Sequence, residues 1–333
     1  MVKVSIIIPF YNPGEYFKDC LNSAVNQSLR DIEIICVDDG STDGSFEYLL
    51  SEFSSDSRFK IMSQVNSGAG VARNMAIDVA TGEYILFLDA DDWIEHDACE
   101  KLYHRAKKLD VDLILFDAFW HYKNTTNRVS YFSEGEFKED SHFFTFDCNY
   151  IRDKMMRGIL GVIWIKFYKT SFIKEKNIKF PTHVIYNDIE FHFKTILLAE
   201  SINYYPKVFY HYMYTNESSI QKSLKGTKYE MMWIDVIKNL NAFLNQYDLM
   251  NAFRKEFLNY FLSYSRGKLD SISNDYKESF FIKLKNFVES LFLTSSDFEL
   301  IDVVNLVFYI HIINTDDYYS FIQIQNNFNG DII

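Results

Sequence analysis

Apolar and polar positions alternate in blocks along the first third of the chain. Val4–Pro9 is a continuous apolar run, the pattern of a strand buried on both faces. Glu15–Gln27 follows, with Phe17, Leu21 and Val25 at helical spacing. The alternation then repeats. Ile32–Val37 predicts a strand, Ser45–Phe53 a helix, Phe59–Met62 a short strand, Val71–Ala80 an alanine-rich helix, and Tyr84–Leu88 a fourth strand. Asp97 with Glu100 predicts a capping box opening a helix that runs to Lys108, and Val111–Phe116 predicts a fifth strand. Strands and helices alternating at this interval mean β-α-β units, hence an α/β fold on a mostly parallel sheet flanked by helices.

Past Asp117 this rhythm stops. Residues 118–148 are polar and aromatic without a clear period and read as loops with short strands. Tyr150–Gly158 and Asp188–Ala199 read as helices, and Ile202–Tyr210 as a strand. From Tyr229 the pattern is helical almost to the end, with faces such as Phe257, Tyr260, Phe261 and Tyr264. A boundary is expected near Ser223, Gly226 and Thr227. It would separate a first domain over 1–225, with halves 1–117 and 118–225, from a C-terminal helical region over 226–333.

The carboxyl ends of parallel strands share one sheet edge, and ligands bind there. The first strand ends in Pro9-Phe10-Tyr11-Asn12 and the second in Asp38-Asp39-Gly40-Ser41. The third runs into Gln64-Val65-Asn66, and the fourth into Leu88-Asp89-Ala90-Asp91-Asp92-Trp93. This edge gathers an aromatic face, carboxylates, amides and helix amino termini. That inventory suits a nucleotide: a ring to stack on a base, polar groups for base and ribose, and a cation for a diphosphate. Charge sets a condition. Asp39, Asp89 and Asp91 would repel a diphosphate unless a divalent cation lay between them, and carboxylate oxygens suit Mg2+ or Mn2+. Metal dependence is therefore expected.

Composition narrows the classes. The 333 residues are 48% apolar, enough for a sizeable core in one large domain with an appendage, or in two domains. A net charge of −12 without a basic cluster argues against nucleic-acid binding and against broad adhesion to anionic membranes. Cys20, Cys36, Cys99 and Cys148 lack paired metal spacing and read as reduced thiols. Met1-Val2-Lys3-Val4 leads directly into a strand, so no leader is expected. The longest apolar stretch, Val303–Ile313, is interrupted by Asn305 and His311 and falls short of a bilayer span. The expectation is a cytoplasmic protein, with peripheral contact at the inner membrane face left open. The aromatic helices read as a packed bundle or a homodimer interface.

Four segments, in this order and spacing over about the first 115 residues, resemble glycosyltransferase family two, with its GT-A fold. They are Pro9-x-Tyr11-Asn12, Asp38-Asp39-Gly40-Ser41-x-Asp43, Gln64-x-Asn66-x-Gly68 followed by Ala72-Arg73-Asn74, and Asp89-x-Asp91-Asp92. The resemblance implies an inverting transferase with a nucleotide-sugar donor. It places Pro9, Tyr11, Asn12, Asp39, Asn66, Arg73 and Asp89 around the nucleotide. Tyr11 would stack on uracil or another base, Asp39 would bond the base, and Asp89 would lie near the ribose. Asp91 would hold the metal that bridges the diphosphate, and Arg73 would lie near the nucleotide or brace the Asp39 loop.

The resemblance continues downstream with substitutions. Such enzymes carry an acidic pair, often Glu-Asp, before a helix, and the Asp serves as catalytic base. Tyr186-Asn187-Asp188-Ile189-Glu190-Phe191 has Asn in place of Glu, which makes Asp188 the base candidate. Gly161-x-x-Trp164-x-Lys166-x-Tyr168 resembles a segment lining the acceptor side. Tyr212-x-Tyr214 with Ser218-Ser219-Ile220 resembles a segment near the donor phosphates, and Thr215 stands where that segment often carries Arg. His211 is a candidate for an extra phosphate or metal contact. The implied reaction moves a sugar, from a UDP-sugar by preference, to a hydroxyl of a glycan or glycolipid, as in surface-polysaccharide synthesis.

Plainer roles stand beside these. Asp38-Asp39-Gly40 suits a turn with a helix cap, and Asp92 the start of the turn before Trp93. Tyr11 suits a half-buried ring, Arg73 an ion pair, and Asp188 a helix cap. Trp164 and Lys166 suit core and surface positions, and His183, His192 and His211 structural ones. Gly68-x-Gly70-x-x-Arg73 lacks a third glycine and reads as packing and a helix start. Two other functions compete. A sugar-1-phosphate nucleotidyltransferase needs a Gly-rich basic loop where Pro9–Gly14 stands. An inactive nucleotide-sugar scaffold accords with Asn187 and Thr215 but not with the intact Asp89, Asp91 and Asp188.

Overall fold

Runs of valine and isoleucine bury β1 (Val4–Phe10) and β2 (Ile32–Asp38) along their whole lengths. In the computed structural model, which describes residues 1–130, 132, 144–152, 161–182, 185–214 and 226–330, these strands centre a parallel layer. Its order is β3-β2-β1-β4, with β3 at Phe59–Ser63 and β4 at Tyr84–Phe87. Helices α1 (Phe17–Val25), α2 (Ser45–Phe53) and α3 (Ala69–Val79) make the crossovers. The chain steps outward from β1 to β3, then α3 returns it to the far side of β1. The order reverses between β1 and β4, and ligands of open α/β sheets bind at such a reversal.

Beyond β4 the sheet is mixed. It adds β5 (Trp93–Ile94), β6 (Leu113–His121), β7 (Thr126–Val129), β8 (Thr145–Phe146), β9 (Lys166–Lys169) and β10 (Ile202–Met213). β9 lies antiparallel between β4 and β6. β10 runs parallel to β6 but antiparallel to β5 and β8, and β7 is antiparallel to β6. The expected parallel pairing thus holds for the first four strands and for β6 with β10. The strands that make the antiparallel pairings β5, β7, β8 and β9 are two to four residues long, too short to show a period.

α4 (Ala98–Leu109) forms as expected, but without its capping box. Asp97 instead pairs with Lys101, and Glu100 accepts from the Ser28 hydroxyl at 2.6 Å. After β9 come α5 (Thr170–Glu175) and α6 (Asn187–Leu198). Phe191 of α6 stacks on Phe180 at 3.8 Å and meets Phe87 of β4 edge-on. A Cβ at Gly70 of α3 would lie 2.7 Å from the Pro181 carbonyl oxygen and 3.2 Å from Asn187 Cβ. Glycine there lets α3 approach the start of α6, the packing role expected for it.

The chain divides into two compact units, one within Met1–Ile151 and Gly158–Glu217, the other within Arg152–Arg157 and Ser218–Ile333. The second contains α7 (Met232–Gln246), α8 (Met250–Ser271), α9 (Asn274–Ser290), α10 (Ser295–Phe298), α11 (Val303–Ile313) and α12 (Tyr318–Gly330). Phe257 and Phe261 of α8 are fully buried, whereas Tyr264 is 47% exposed. The buried Trp233 indole donates to Ser265, and Asn259 ties α8 to the Leu300 carbonyl and the Asp302 amide. Among the described residues no helix is long and apolar enough to cross a membrane. Most of the helix expected over Tyr150–Gly158, together with His183, Thr215 and Ser219, lies outside the described residues.

Candidate active site

The loops after β1, β2 and β3 are tied into one platform. Pro9 lies beyond the last β1–β4 pair, Ile7–Phe87, where its missing N–H breaks no ladder bond on that side. Asn12, in a left-handed conformation at φ 45°, accepts from the Thr42 amide at 2.7 Å and donates its own amide to Ser41 Oγ at 3.0 Å. Tyr11 beside it is 42% exposed, which leaves its ring available. Asp38 accepts from the Ser41 amide and the Ser63 hydroxyl. The buried Asp39 accepts from Gln64 Nε2 and the Ser67 amide at 2.7 Å, and from the Gly68 amide at 2.8 Å. Asp39, expected to bond a base, clamps the loop that carries Asn66 and opens α3. A carboxylate there satisfies amides that a helix start leaves unpaired.

Arg73 is the centre of the site. It is 5% exposed, donates Nη2 to Asp89 Oδ1 at 2.8 Å and Nη1 to Asn187 Oδ1 at 3.0 Å, and lies over the Phe180 ring. It therefore braces Asp89 and the first turn of α6, not the Asp39 loop. Burial opposes its charge, but Asp89 and Asp188 outweigh burial and raise its pKa. Asp188 follows Asn187 in that first turn. Burial raises its carboxyl above the ordinary range and Asp89 adds to the rise, while Arg73 and Lys166 oppose it. Tyr186, just before α6, has φ 64°, a strained conformation for a tyrosine, and it turns the chain into the helix.

The next carboxylates divide by role. Asp91, one residue beyond Ala90, is partly exposed. Asp92 is fully buried; it accepts from the Tyr210 hydroxyl at 2.7 Å and the Met213 amide at 2.8 Å. Burial, then Asp91 and Asp89, hold its carboxyl well above the ordinary range. The Tyr210 hydroxyl also accepts from the Asp89 amide at 3.0 Å. One oxygen from β10 thus braces both ends of the Asp89–Asp92 turn.

Trp164 is buried and stacks on Tyr210 at 4.5 Å and on Tyr212 at 5.3 Å. Lys166, expected at an acceptor or phosphate surface, is fully buried instead and donates to the Val162 carbonyl. Burial pulls its pKa well down, and Asp188 opposes that pull. His211, a candidate for a phosphate or metal contact, is engaged within the protein. Its Nε2 meets Glu95 and its Nδ1 meets His121, both at 2.9 Å, and its ring stacks on Trp93. Among the described residues, buried His192 has no hydrogen-bond partner on either nitrogen, and burial lowers its pKa well below the ordinary histidine value.

The structure therefore joins Arg73, Asp89, Asp188 and Trp164 around the end of β4, with Tyr11, Asn12, Asp39 and Asn66 on the adjoining loops. Sequence reasoning missed Tyr210 and the brace role of Asn187. Tyr210, Tyr212 and Tyr214 alternate along one strand, a period of two that marked a common face.

Residues 5–166 match the family described as glycosyl transferase family 2. EpsH of Bacillus subtilis is 30% identical over 256 residues, which cover 76% of this chain and 72% of EpsH. The cholesterol galactosyltransferase of Borreliella burgdorferi is 30% identical over 276 residues, covering 79% of this chain and 75% of that protein. Among solved structures, S. aureus TarS 1-349 in complex with UDP-GlcNAc superimposes with a TM-score of 0.70 at 21% identity, over 93% of this chain and 90% of that one. That likeness concerns the fold, which is the GT-A fold with a helical region after it. The parallel layer, the carboxylate turn at its switch point and these relatives agree: the chain is a glycosyltransferase and belongs to glycosyltransferase family 2.

Proposed function

We propose that the protein is a metal-dependent, inverting glycosyltransferase using a nucleoside-diphosphate sugar, UDP-linked by preference. Its acceptor would be a hydroxyl of a glycan or glycolipid in surface-polysaccharide synthesis. The observation that carries this reading is the Arg73 bridge, which joins the Asp89 turn to the helix start bearing Asp188. The exposed Tyr11 ring beside the Asn12–Thr42 tie supports a base site, and the UDP-GlcNAc complex of TarS supports the donor class. In this reading Asp188 takes the proton of the acceptor hydroxyl as its oxygen bonds to the anomeric carbon. The bond from that carbon to the diphosphate breaks on the opposite face, and the nucleoside diphosphate leaves with the electron pair. The raised pKa of Asp188 makes it a stronger proton acceptor than an ordinary aspartate.

The residues present fit a divalent cation of one kind. Among the described residues no three metal-ligating side chains converge. A hard cation with one or two carboxylate ligands, Asp91 first, would complete its shell with water and donor oxygens, as Mg2+ commonly does. When bound it would neutralise charge on the departing diphosphate.

The test is a thermal-shift panel of nucleoside diphosphates and their sugars, with and without Mn2+, followed by transfer assays. Manganese-dependent stabilisation by one nucleotide, lost in Asp91→Ala, is expected. No stabilisation by any nucleotide would remove the donor site from this reading.

A further inference from the structure

A row of tryptophan and tyrosine rings runs outward beside the site. β6 and β10 pair Trp120 with Tyr212, so these rings share a face. From the Tyr210 hydroxyl on Asp92, rings follow one another outward. Trp164 stacks on Tyr210 and Tyr212, and Trp120 lies 5.4 Å from Tyr212 and is parallel to Tyr214 within 10° at 6.3 Å. Tyr122 closes the row against Tyr214 at 4.7 Å. Burial rises toward the carboxylates: Trp164 and Tyr210 are buried, Trp120, Tyr122 and Tyr212 are half-buried, and Tyr214 is 44% exposed.

The chemistry of the row is selective. The chain has 31 phenylalanines, yet all six rings here are tyrosine or tryptophan, and two of its four tryptophans are among them. Each tyrosine in the row combines a flat apolar face with a hydroxyl edge, and Trp120 adds the broadest apolar face. A pyranose has the matching surface, with axial C–H groups on one face and hydroxyls around its rim. A sterol would leave those polar edges unpaired, and an acyclic polyol phosphate has no flat apolar face.

We infer that the row Tyr212–Trp120–Tyr214–Tyr122 is the acceptor subsite, and that it takes a glycan ending in a pyranose which stacks on these rings. This rests on the glycosyltransferase reading above and names the acceptor class for the same site. The row leads outward from Tyr210, whose hydroxyl is bonded to the Asp89–Asp92 turn, so a sugar seated on it would lie beside that turn.

The experiment uses the full chain and the nucleotide sugar selected by thermal shift. Acceptors are octyl glycopyranosides of glucose, galactose, N-acetylglucosamine and N-acetylgalactosamine, with detergent-dispersed cholesterol and ribitol 5-phosphate as the other arms. Transfer to at least one glycopyranoside is expected. Trp120→Ala and Tyr214→Ala should raise its KM about tenfold, the scale of one lost aromatic contact. In Trp120→Ala donor hydrolysis and kcat should stay within about twofold, and Trp120→Phe and Tyr214→Phe should restore most of the affinity. Unchanged acceptor KM in the well-folded alanine variants overturns the proposal. So does transfer to cholesterol or ribitol phosphate alone, or donor hydrolysis with transfer to none. A wild-type chain that neither binds nor hydrolyses any nucleotide sugar defeats the donor reading instead.

Discussion

Tyr210→Phe removes one oxygen that serves two partners. The hydroxyl donates to Asp92 Oδ2 at 2.7 Å and accepts from the Asp89 amide at 3.0 Å. The ring remains, so the stack on Trp164 is kept and the space opened is only that of a hydroxyl. Asp92 would then keep the Met213 amide on its other oxygen but lose its only side-chain donor. A buried charged acceptor stripped of a donor costs roughly 1–3 kcal/mol, and the orphaned Asp89 amide adds about 1. The loss at neutral pH should therefore be about 2–4 kcal/mol. The sign with pH follows from the raised pKa of Asp92. A carboxyl raised in the native state destabilises the fold at high pH, and that cost fades as pH falls through the raised value. Tyr210→Phe raises it further, so the loss should be larger at high pH and shrink as pH falls. Denaturant unfolding of wild type, Tyr210→Phe, Asp92→Asn and the double variant measures this directly. In the Asp92→Asn background the tyrosine change should cost about 1 kcal/mol less, or smaller still. Equal losses in both backgrounds, or a loss independent of pH, would refute the reasoning.

Three further outcomes follow from the geometry. Asp188→Asn should lower kcat by about 100-fold to 10,000-fold while donor affinity stays within about threefold, because only the proton acceptor is lost; isothermal titration and transfer rates separate the two. In the wild type the acid limb of kcat should lie above the usual aspartate range, because the pKa of Asp188 is raised. Gly70→Ala should cost about 1–3 kcal/mol, since its methyl would sit 2.7 Å from the Pro181 carbonyl, and should reduce kcat by displacing the first turn of α6; calorimetry and a crystal structure would show it. Arg254→Met should cost about 1–2 kcal/mol at neutral pH, because Arg254 and the Thr294 cap hold Asp297 down to about 2 from 3.8. A lowered carboxyl stabilises above its unfolded value, and that contribution disappears as pH falls from 3.8 through about 2, so acid titrations of the two proteins should converge there.

The first four strands and three helices were legible because long apolar blocks report burial directly, whichever neighbour supplies it. The order of the sheet was not legible beyond β4. β5 has two residues, and its pairing with β10 depends on register with a strand more than a hundred residues away. The site shows the same division. Asp89, Arg73 and Asp188 stand in motifs, so they were visible as a set. Their partners were not, because a hydrogen bond between Arg73 and Asn187 spans 114 residues and leaves no local period. His211 and Lys166, also singled out in the sequence, have partners that it did not show: Glu95 and His121 for the one, the Val162 carbonyl for the other.

Asn187 shows why an amide is tolerated beside the base. Its Oδ1 accepts from Arg73 at 3.0 Å, the bond a carboxylate oxygen would accept, so the geometry of the bridge survives the change. The charge does not. A glutamate there would have drawn on the same buried guanidinium and placed a second anion next to Asp188. With Asn187, the carboxylates that Arg73 serves are Asp89 and Asp188, and it already opposes the rise in the Asp188 pKa. Asn187→Glu should therefore raise the Asp188 pKa and move the acid limb of kcat upward, with like charges one residue apart in a partly buried turn. An acid limb that stayed where it is in the wild type, or moved downward, would refute this account of how the Arg73 charge is shared.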